Sequence, residues 1–287
     1  MKKTLGFISI LIFVLLLSAC GSSEESGSGE GSSEDASSEG STEETSGGQQ
    51  EQNLWQEVQE EGVLTVGTEG TYAPYTFHNE EDELTGYDVE VAKEIGERLG
   101  VEIDFQETKW DSMFAGLNNE RFDMIANQVG IKPNREEKYA FSVPYTYTSA
   151  VLVTQEDNEE IQTFEDLEGA TAAQSLTSNY GDIAREHGAE IEGVEGFNPS
   201  MELLATGRAD ATVNDRLSVL DFLNTRGDKA GVEIVDRQDD ASESAMMFRQ
   251  GNPELVEAVN GALKEMKEDG TLKEISNEWF DEDVSVQ

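Results

Sequence analysis

The alternation of short β-type segments with helical segments constrains the fold of this chain more than any other feature. Runs rich in Val, Ile, Leu and Thr predict strands, and apolar residues that recur every three to four positions predict helices. The first series has strands at 63–66, 101–105 and 122–126, with helices at 88–99 and 110–117. A helical turn at 133–138 and a long β-rich segment at 141–153 complete it.

A second series of the same kind follows. Its predicted strands are 170–173, 189–194, 209–213 and 232–235, and its predicted helices are 178–187, 199–206 and 215–225. An extended run at 244–248 and helices at 253–268 and 272–280 end the pattern. Strands separated by helices require open, mostly parallel sheets. The sequence therefore predicts an α/β fold of two lobes, each an open, mostly parallel sheet flanked by helices.

Two extended crossings join the two series. They divide the folded part into lobe 1, residues 54–149 and 246–287, and lobe 2, residues 150–245. Hinges are expected at 148–151 and 245–247. Ligands of open α/β sheets bind beyond the carboxyl ends of the strands, so we expect a ligand in the cleft between the lobes.

The first twenty residues have the composition of a signal peptide. Lys2 and Lys3 precede an apolar run at 5–17 that is short for a membrane span. The run ends in Leu17-Ser-Ala-Cys20, which resembles the lipobox of bacterial lipoproteins, where the Cys carries the lipid. Cys20 is the single cysteine of the chain. The resemblance implies lipidation at Cys20, and the alternative is an ordinary secretory signal that ends in Cys.

Residues 21–53 contain 10 Ser, 7 Gly and 9 acidic residues, without Lys or Arg. Such a segment buries almost no apolar surface, so we predict a disordered acidic linker.

The chain as a whole has a formal net charge of −42. This charge argues against nucleic acid as a partner. It favours a protein that works in concentrated salt, and the alternative is a merely acidic extracytoplasmic protein.

The supply of metal-binding side chains is small. One cysteine excludes a disulfide framework and a Cys-rich zinc site, and two histidines leave little for a His-based centre. We therefore expect no metal and no cofactor.

A hydrolase needs a nucleophile beside a base, and neither histidine lies near a plausible partner in the sequence. No catalytic residue is predicted.

Candidate binding residues follow the predicted strand ends and helix starts. They are Glu69, Tyr72, Trp110, Gln128, Gly130, Arg135, Gln174, Thr177, Ser178, Asn214 and Asp215. Together they offer aromatic rings, one Arg, carboxylates and N–H groups at a helix N-terminus. A zwitterionic amino acid needs this set, because its carboxylate binds Arg and helix-terminal N–H groups while its ammonium binds a carboxylate.

Several of these residues also have a purely structural interpretation. Tyr72 and Trp110 fit core or rim aromatics, and Arg135 fits an exposed turn residue in an ion pair. Asp215 starts a helix and fits an ordinary N-cap, as do Thr177 and Ser178. Single residues therefore do not decide between binding and structural roles.

The order of several segments resembles family 3 solute receptors, the polar amino-acid-binding proteins of ABC importers. The resemblance covers residues 54–285 and includes Leu84-Thr-Gly-Tyr-Asp-Val-Glu-Val-Ala92 and Arg135-Glu-Glu-Lys-Tyr-Ala-Phe-Ser142. Further matching segments are 67–74, 110–113, 121–124, 207–211, 266–272 and 279–280. The family implies a two-lobed periplasmic-binding-protein-like fold of type II, with its ligand between the lobes.

The resemblance implies a role for each candidate residue. Tyr72 and Trp110 match the aromatic pair that sandwiches the ligand side chain. Arg135 matches the residue that clamps the α-carboxylate. The remaining implied roles are backbone at Gly130 and Thr177 or Ser178 toward the carboxylate, Asp215 and the Gln128 carbonyl toward the ammonium, and Glu69 as side-chain selector. Gly130-Ile-Lys132 departs from the family, which often has hydroxyl residues there, so backbone groups are the expected donors.

Within the family, the segments 108–111, 127–130 and 173–181 resemble the cystine-binding receptors of bacilli. Cystine has an amino-acid end on each side of a disulfide, which fits a roomy pocket with extra polar groups such as Gln174 and Asn179. L-Cystine is therefore the expected ligand, and another polar amino acid such as glutamine is the alternative.

The resemblance implies a monomeric receptor anchored by lipid on the extracytoplasmic face of the cell membrane. It would close over its ligand and deliver it to the permease and ATPase subunits of an ABC importer. Two other classes remain open. A dehydratase-like enzyme occurs on the same fold, and a module that only contacts a partner would bind no amino acid.

Overall fold

The computed structural model describes residues 53–287. The predicted signal peptide, its Cys20 and the predicted linker lie outside the described residues, apart from Asn53. Between residues 53 and 287, the helices are too short or too polar to cross a bilayer.

The first part of the described chain builds most of lobe 1. Its elements are α1 (Leu54–Glu61), β1 (Val63–Thr68), β2 (Thr71–Tyr72), β3 (Thr76–His78), β4 (Leu84–Thr85), α2 (Tyr87–Leu99), β5 (Glu102–Glu107), α3 (Trp110–Asn118), β6 (Met124–Gly130), α4 (Pro133–Glu136), β7 (Tyr139–Phe141) and β8 (Thr146–Thr148).

The chain then builds lobe 2 and returns. Lobe 2 consists of β9 (Ala150–Gln155), β10 (Thr171–Gln174), α5 (Asn179–Glu186), β11 (Glu190–Gly193), α6 (Phe197–Ala205), β12 (Ala211–Asp215), α7 (Arg216–Arg226) and β13 (Val232–Arg237). The returning elements are β14 (Ser242–Arg249), α8 (Pro253–Asp269) and α9 (Thr271–Phe280). Short 3₁₀ turns lie at Phe164–Leu167 and Gly227–Lys229.

Each lobe has one open sheet in which a single strand is reversed. The order in lobe 1 is β5-β1-β6-β14-β7, with β8 also paired to β14, and the order in lobe 2 is β11-β10-β12-β9-β13. All pairings of β14 and of β9 are antiparallel, whereas β1 pairs in parallel with β5 and β6, and β10 with β11 and β12. This confirms the predicted two-lobed α/β fold with mostly parallel sheets.

The crossings differ in detail from the prediction. The segment 141–153 is not one strand but parts of β7, β8 and β9. Pro144, which has no N–H to donate, interrupts it, and at Ser149 the chain passes from one sheet to the other. The return crossing lies at 238–241, before the predicted boundary at 245/246, because Ser242 already pairs with Thr148 of lobe 1. The prediction placed the start of this strand later because its first residues, Ser242 and Glu243, are polar and do not show the apolar pattern of a strand.

Two parts of lobe 1 had no counterpart in the prediction. Helix α1 begins with a capping box, in which the Asn53 side chain accepts from the Gln56 N–H. The short strands β2, β3 and β4 form a separate antiparallel sheet over a segment that reads as turns. Strands of two or three residues give too few alternations to be recognised.

Helix α3 is seated on the sheet by Phe122, whose side chain is fully buried. A Cβ added at Gly116 of α3 would lie 2.7 Å from the Phe122 ring, and one added at Gly67 of β1 would lie 2.5 Å from it. The two glycines therefore admit the ring between helix and strand. This contact positions the first turn of α3, which carries Trp110.

Gly116→Ala should destabilise the protein. Alanine ordinarily stabilises a helix interior relative to glycine by about 1 kcal/mol. Here the new methyl group collides with Phe122, and overpacking of this kind costs about 1–3 kcal/mol. Gly261→Ala is the matched control, because nothing lies within 4 Å of its added Cβ in α8. Denaturant unfolding should show opposite signs for the two variants, and a stabilised Gly116→Ala would contradict the packing argument.

Candidate functional site

The two lobes meet at the carboxyl ends of β1 and β12. Tyr72 Oη donates to Asn214 Oδ1 at 2.9 Å, and Tyr75 Oη donates to Asp215 Oδ1 at 2.7 Å. Both tyrosines belong to lobe 1 and both acceptors to lobe 2. Tyr72 and Tyr75, which follow β1, are therefore hydrogen-bonded to the carboxyl end of β12, the central strand of lobe 2.

Further polar contacts join the lobes around the rim of the cleft. Thr177 Oγ1 donates to Asp111 Oδ1 at 2.7 Å, and Lys132 Nζ donates to Asp182 Oδ2 at 2.7 Å. Lys109 pairs with Glu195, and Asn198 donates to the Thr71 carbonyl. The lobes are thus in contact along the cleft.

A small cavity of about 40 Å³ lies between the lobes, which is below the volume of ordinary small-molecule sites. Both lobes contribute aromatic, amide and hydroxyl groups to its wall. The lining residues are Glu69, Tyr72, Trp110, Asn127 and Gln128 of lobe 1, and Ser175, Ser178, Asn179, Tyr180, Gly196, Phe197 and Asn214 of lobe 2.

Tyr72 and Trp110 are both 8% exposed and lie in the cavity wall. Trp110 is the first residue of α3 and packs edge-on against Phe114 at 5.3 Å between ring centroids. Tyr72 lies 5.8 Å from the Phe197 ring of lobe 2. The cavity therefore has flat apolar surfaces from two lobes, and the core around each ring fixes its orientation.

Arg135 is buried rather than exposed, which excludes the exposed-turn interpretation. It is 7% exposed and belongs to the single-turn helix α4. Its Nη1 donates to the Gly130 carbonyl at 2.9 Å and its Nη2 to the Thr177 carbonyl at 3.1 Å. Its guanidinium carbon lies 5.5 Å from the centre of the Trp110 ring. Burial lowers its pKa to about 10, so it remains a cation at neutral pH.

No carboxylate neutralises Arg135 among the described residues. Asp182, which contributes most to its electrostatic stabilisation, is paired with Lys132 instead. The two carbonyls that Arg135 contacts are neutral. The guanidinium is therefore a buried cation without an anionic partner in this part of the chain.

Asp215 is the N-cap of α7 and also a contact between the lobes. Its Oδ1 accepts from the backbone N–H groups of Leu217 and Ser218 at 2.8 and 3.2 Å, besides the Tyr75 hydroxyl. The Tyr180 hydroxyl donates to its Oδ2 at 3.4 Å. Burial raises the pKa of this carboxyl above its ordinary value. The capping interpretation is confirmed, and Asp215 also joins the two lobes, although it is not among the residues that line the cavity.

Glu69 lies at the cavity end of β1 and is bound to Asn127. Its Oε2 accepts from Asn127 Nδ2 at 2.7 Å, and its N–H donates to Asn127 Oδ1 at 2.8 Å. Burial raises the pKa of Glu69 to about 7. Asn127 was absent from the predicted site, although it precedes Gln128 at the same strand end.

The other predicted residues divide between the cavity and its support. Gln128 and Asn214 line the cavity, as does Ser178, which caps α5 by accepting from the Gly181 N–H. Gly130, Arg135 and Thr177 are not among its lining residues, and neither is Gln174. Gln174 Nε2 donates to Thr212 Oγ1 and to the Val213 carbonyl inside the lobe 2 sheet.

Several lining residues were missed by the sequence interpretation. Tyr180 lies in the first turn of α5 and Phe197 starts α6, whereas the neighbouring Asn179 was expected as an extra polar group of the pocket. Phe197 follows a strand and begins a helix, as Trp110 does, so the same signal was present. For Ser175 and Gly196, the sequence had no pattern of its own that indicated a place in the cavity wall.

An α/β protein with two lobes and a polar, aromatic-walled cavity between them is built as a solute-binding protein. The chain belongs to the bacterial extracellular solute-binding proteins of family 3, whose family model matches residues 64–282. This confirms the family resemblance found in the sequence.

Three comparisons place the chain within this family. It is 48% identical over 286 residues to the L-cystine-binding protein TcyA of Bacillus subtilis, covering 99% of this chain and 100% of the relative. It is 47% identical to the L-cystine solute receptor of Neisseria gonorrhoeae in its unliganded open conformation, covering 78% and 95%, with a TM-score of 0.54. An ancestral arginine-binding protein bound to arginine is 32% identical, covering 76% and 98%, with a TM-score of 0.72.

The TM-scores run opposite to the identities. The more similar sequence is in an open conformation and superposes less well, whereas the less similar one is bound to its ligand and superposes better. A rotation between lobes lowers a whole-chain superposition without changing either lobe. The chain thus superposes better on the arginine-bound protein than on the open receptor, and its own lobes are in contact across the cleft.

The ligand-free protein should be more stable at pH 5 than at pH 7.5. Burial raises the pKa values of Glu69 and Asp88 from 4.5 and 3.8 to about 7, and it raises the pKa of Asp215 as well. The folded state therefore binds these protons more tightly than the unfolded chain, and stability is lost as the pH rises through this window. Thermal unfolding at constant ionic strength measures the trend, and Glu69→Gln should flatten it. A melting temperature that increases with pH would contradict these assignments.

Proposed function

We propose that this protein is a lipid-anchored extracytoplasmic receptor that binds a polar amino acid, L-cystine, between its lobes and delivers it to an ABC importer. The observation that carries the proposal is the buried Arg135 without a carboxylate partner among the described residues. Family membership supports the binding role, and the site residues support the class of ligand.

Arg135 is suited to an anionic group of a ligand. A buried cation without a counter-ion is unfavourable, so an entering carboxylate relieves an electrostatic cost. The planar guanidinium favours two parallel bonds to a carboxylate. Its present acceptors, the carbonyls of Gly130 and Thr177, come from different lobes. The ligand carboxylate would thus bind where the lobes meet.

The ammonium of the same ligand would bind to acceptors on the other side of the cavity. Asp215 and the Gln128 carbonyl are the proposed acceptors, with Glu69 as a second carboxylate. Tyr72 and Trp110 provide the flat walls between the charged ends. This set matches an α-amino acid. A neutral or purely anionic ligand would have no positive group to bind the carboxylates of Asp215 and Glu69.

Two features favour cystine over a one-ended amino acid. The relatives named above as L-cystine-binding proteins are 48% and 47% identical to this chain. Glu69 and Phe197 of the cavity wall also line a second, open cleft of about 400 Å³ that includes Lys109 and Asn198. A ligand with a second amino-acid end would extend into this cleft, where its two charged groups would bind to Lys109 and Glu195, which are paired with each other without it.

Delivery would use rotation of the lobes about the two crossings, at Ser149 and at 238–241. An open form would admit the ligand, and the closed form would present it to the permease, with the ATPase subunits driving import. The predicted linker would keep a monomeric receptor near the permease by raising its effective concentration.

Isothermal titration with cystine and then the common amino acids should find tight cystine binding. Arg135→Ala should weaken it about 30-fold or more, since removal of a buried charge partner costs about 2–5 kcal/mol. Asp215→Asn keeps a capping oxygen and removes the charge, and it should weaken binding similarly. Arg208→Ala, at an exposed arginine of lobe 2, is the charge control and should bind as the wild type does.

Each other outcome assigns a different function. Binding of another amino acid alone would keep the receptor and reject cystine. Absence of binding by the folded protein would reject the receptor, and turnover of a prephenate-like substrate would then identify a dehydratase.

The anchor has a separate test, because Cys20 lies outside the described residues. In a bacterial host, the wild-type protein should partition with the membrane fraction. Cys20→Ser should be released from it, since the acceptor of the lipid is lost. Recovery of both proteins in the soluble fraction would instead support an ordinary secretory signal.

A further inference from the structure

The carboxylate of Asp88 lies beneath the cavity and has no assigned role in binding. Asp88 is in the first turn of α2 and is 0% exposed. Its Oδ2 accepts from the Gln128 backbone N–H at 2.7 Å, and its Oδ1 accepts from Gln128 Nε2 at 2.7 Å. No basic residue of the described chain pairs with it. One buried carboxylate therefore holds both the main chain and the side chain of a single residue.

That residue lies in an irregular part of β6. Ile125 pairs with Met247 and Val129 pairs with Ala245, so residues 126–128 of β6 face Met246 alone. The extra residues make a bulge, which redirects side chains at the edge of a site. Gln128 has φ 49°, in the left-handed region that residues with a Cβ seldom adopt. Such a conformation persists only where surrounding bonds hold it.

The bulge carries two groups of the cavity wall. Asn127 and Gln128 both line the cavity, and Asn127 holds Glu69 through two hydrogen bonds. On the other side, Thr68 Oγ1 donates to the Ala126 carbonyl at 2.9 Å. The path of the bulge therefore decides where the Gln128 backbone and the Glu69 carboxylate lie.

We propose that Asp88 is a positioning residue, whose two hydrogen bonds to Gln128 hold the β6 bulge in the conformation that presents this backbone to the ligand. The inference rests on the proposed function, because it concerns the affinity of that cavity for an amino acid. Asp88 itself does not contact the ligand.

The two-point contact makes a conservative replacement informative. Asparagine at this position retains one acceptor for the Gln128 N–H. Its amide can also donate to Gln128 Oε1, which is buried and has no partner among the described residues, once the Gln128 amide turns over. Alanine retains neither bond. Asp88→Asn should therefore preserve the bulge, and Asp88→Ala should release it.

The experiment measures cystine affinity by titration and the exchange of the Gln128 amide hydrogen by NMR. Asp88→Ala should weaken binding about tenfold or more and remove the amide's protection, whereas Asp88→Asn should stay within about threefold of the wild type in affinity and keep the protection. If Asp88→Ala does not fold, Asp88→Ser, which keeps a single acceptor, replaces it.

Asp123→Ala is the matched control. This lobe 1 carboxylate also accepts from a backbone N–H and a side chain, both of Thr65, and it does not line the cavity. Its loss should lower stability without changing cystine affinity or Gln128 exchange.

Three results would overturn the inference: unchanged affinity in folded Asp88→Ala, unchanged protection of the Gln128 amide, or a loss in Asp88→Asn as large as in Asp88→Ala. If the wild type binds no amino acid, the proposed function fails by itself. The exchange measurement then still decides whether Asp88 holds the bulge.

Discussion

Each sheet of this protein is completed by a strand that arrives directly from the other lobe. β9 enters lobe 2 and pairs on both sides, with β12 and β13, while β14 returns to lobe 1 and lies between β6 and β7. Neither sheet is continuous without its crossing strand. Both crossings are short, and the chain segments next to them lie side by side where β8 and β14 pair. The carboxyl ends of β1, β6, β10 and β12 face one another because of this arrangement, and the cavity lies between them.

Much of this fold could be predicted from the sequence, because its longer helices and buried strands have clear periodicity. Helix α2, predicted at 88–99, occupies Tyr87–Leu99, and β10, predicted at 170–173, occupies Thr171–Gln174. The prediction was less accurate where tertiary hydrogen bonds decide the structure. The polar start of β14 is a strand because β8 pairs with it, and no local pattern indicates this.

The site could be predicted in part for the same reason. Strand ends and helix starts identify Tyr72, Trp110 and Gln128, since topology alone brings such positions together. Burial of Arg135 could not be predicted, because a single-turn helix has no amphipathic pattern. Gln174 follows its strand like the others, but its amide turns into the sheet. Asp88 lies in a segment that identifies the family, yet its bonds to Gln128 span forty residues of sequence and are visible only in three dimensions.

The contacts around the cleft have a kinetic consequence. The hydrogen bonds of Tyr72 and Tyr75 and the ion pair of Lys132 all join atoms of opposite lobes. In the proposed receptor, a ligand enclosed behind them would leave only after they break together, so its residence time would depend on their combined strength rather than on its own bonds alone. The two tyrosine bonds are buried and the ion pair is partly exposed, so the three contacts differ in strength and act together. Substitutions at the rim can therefore change how long a ligand stays without touching it.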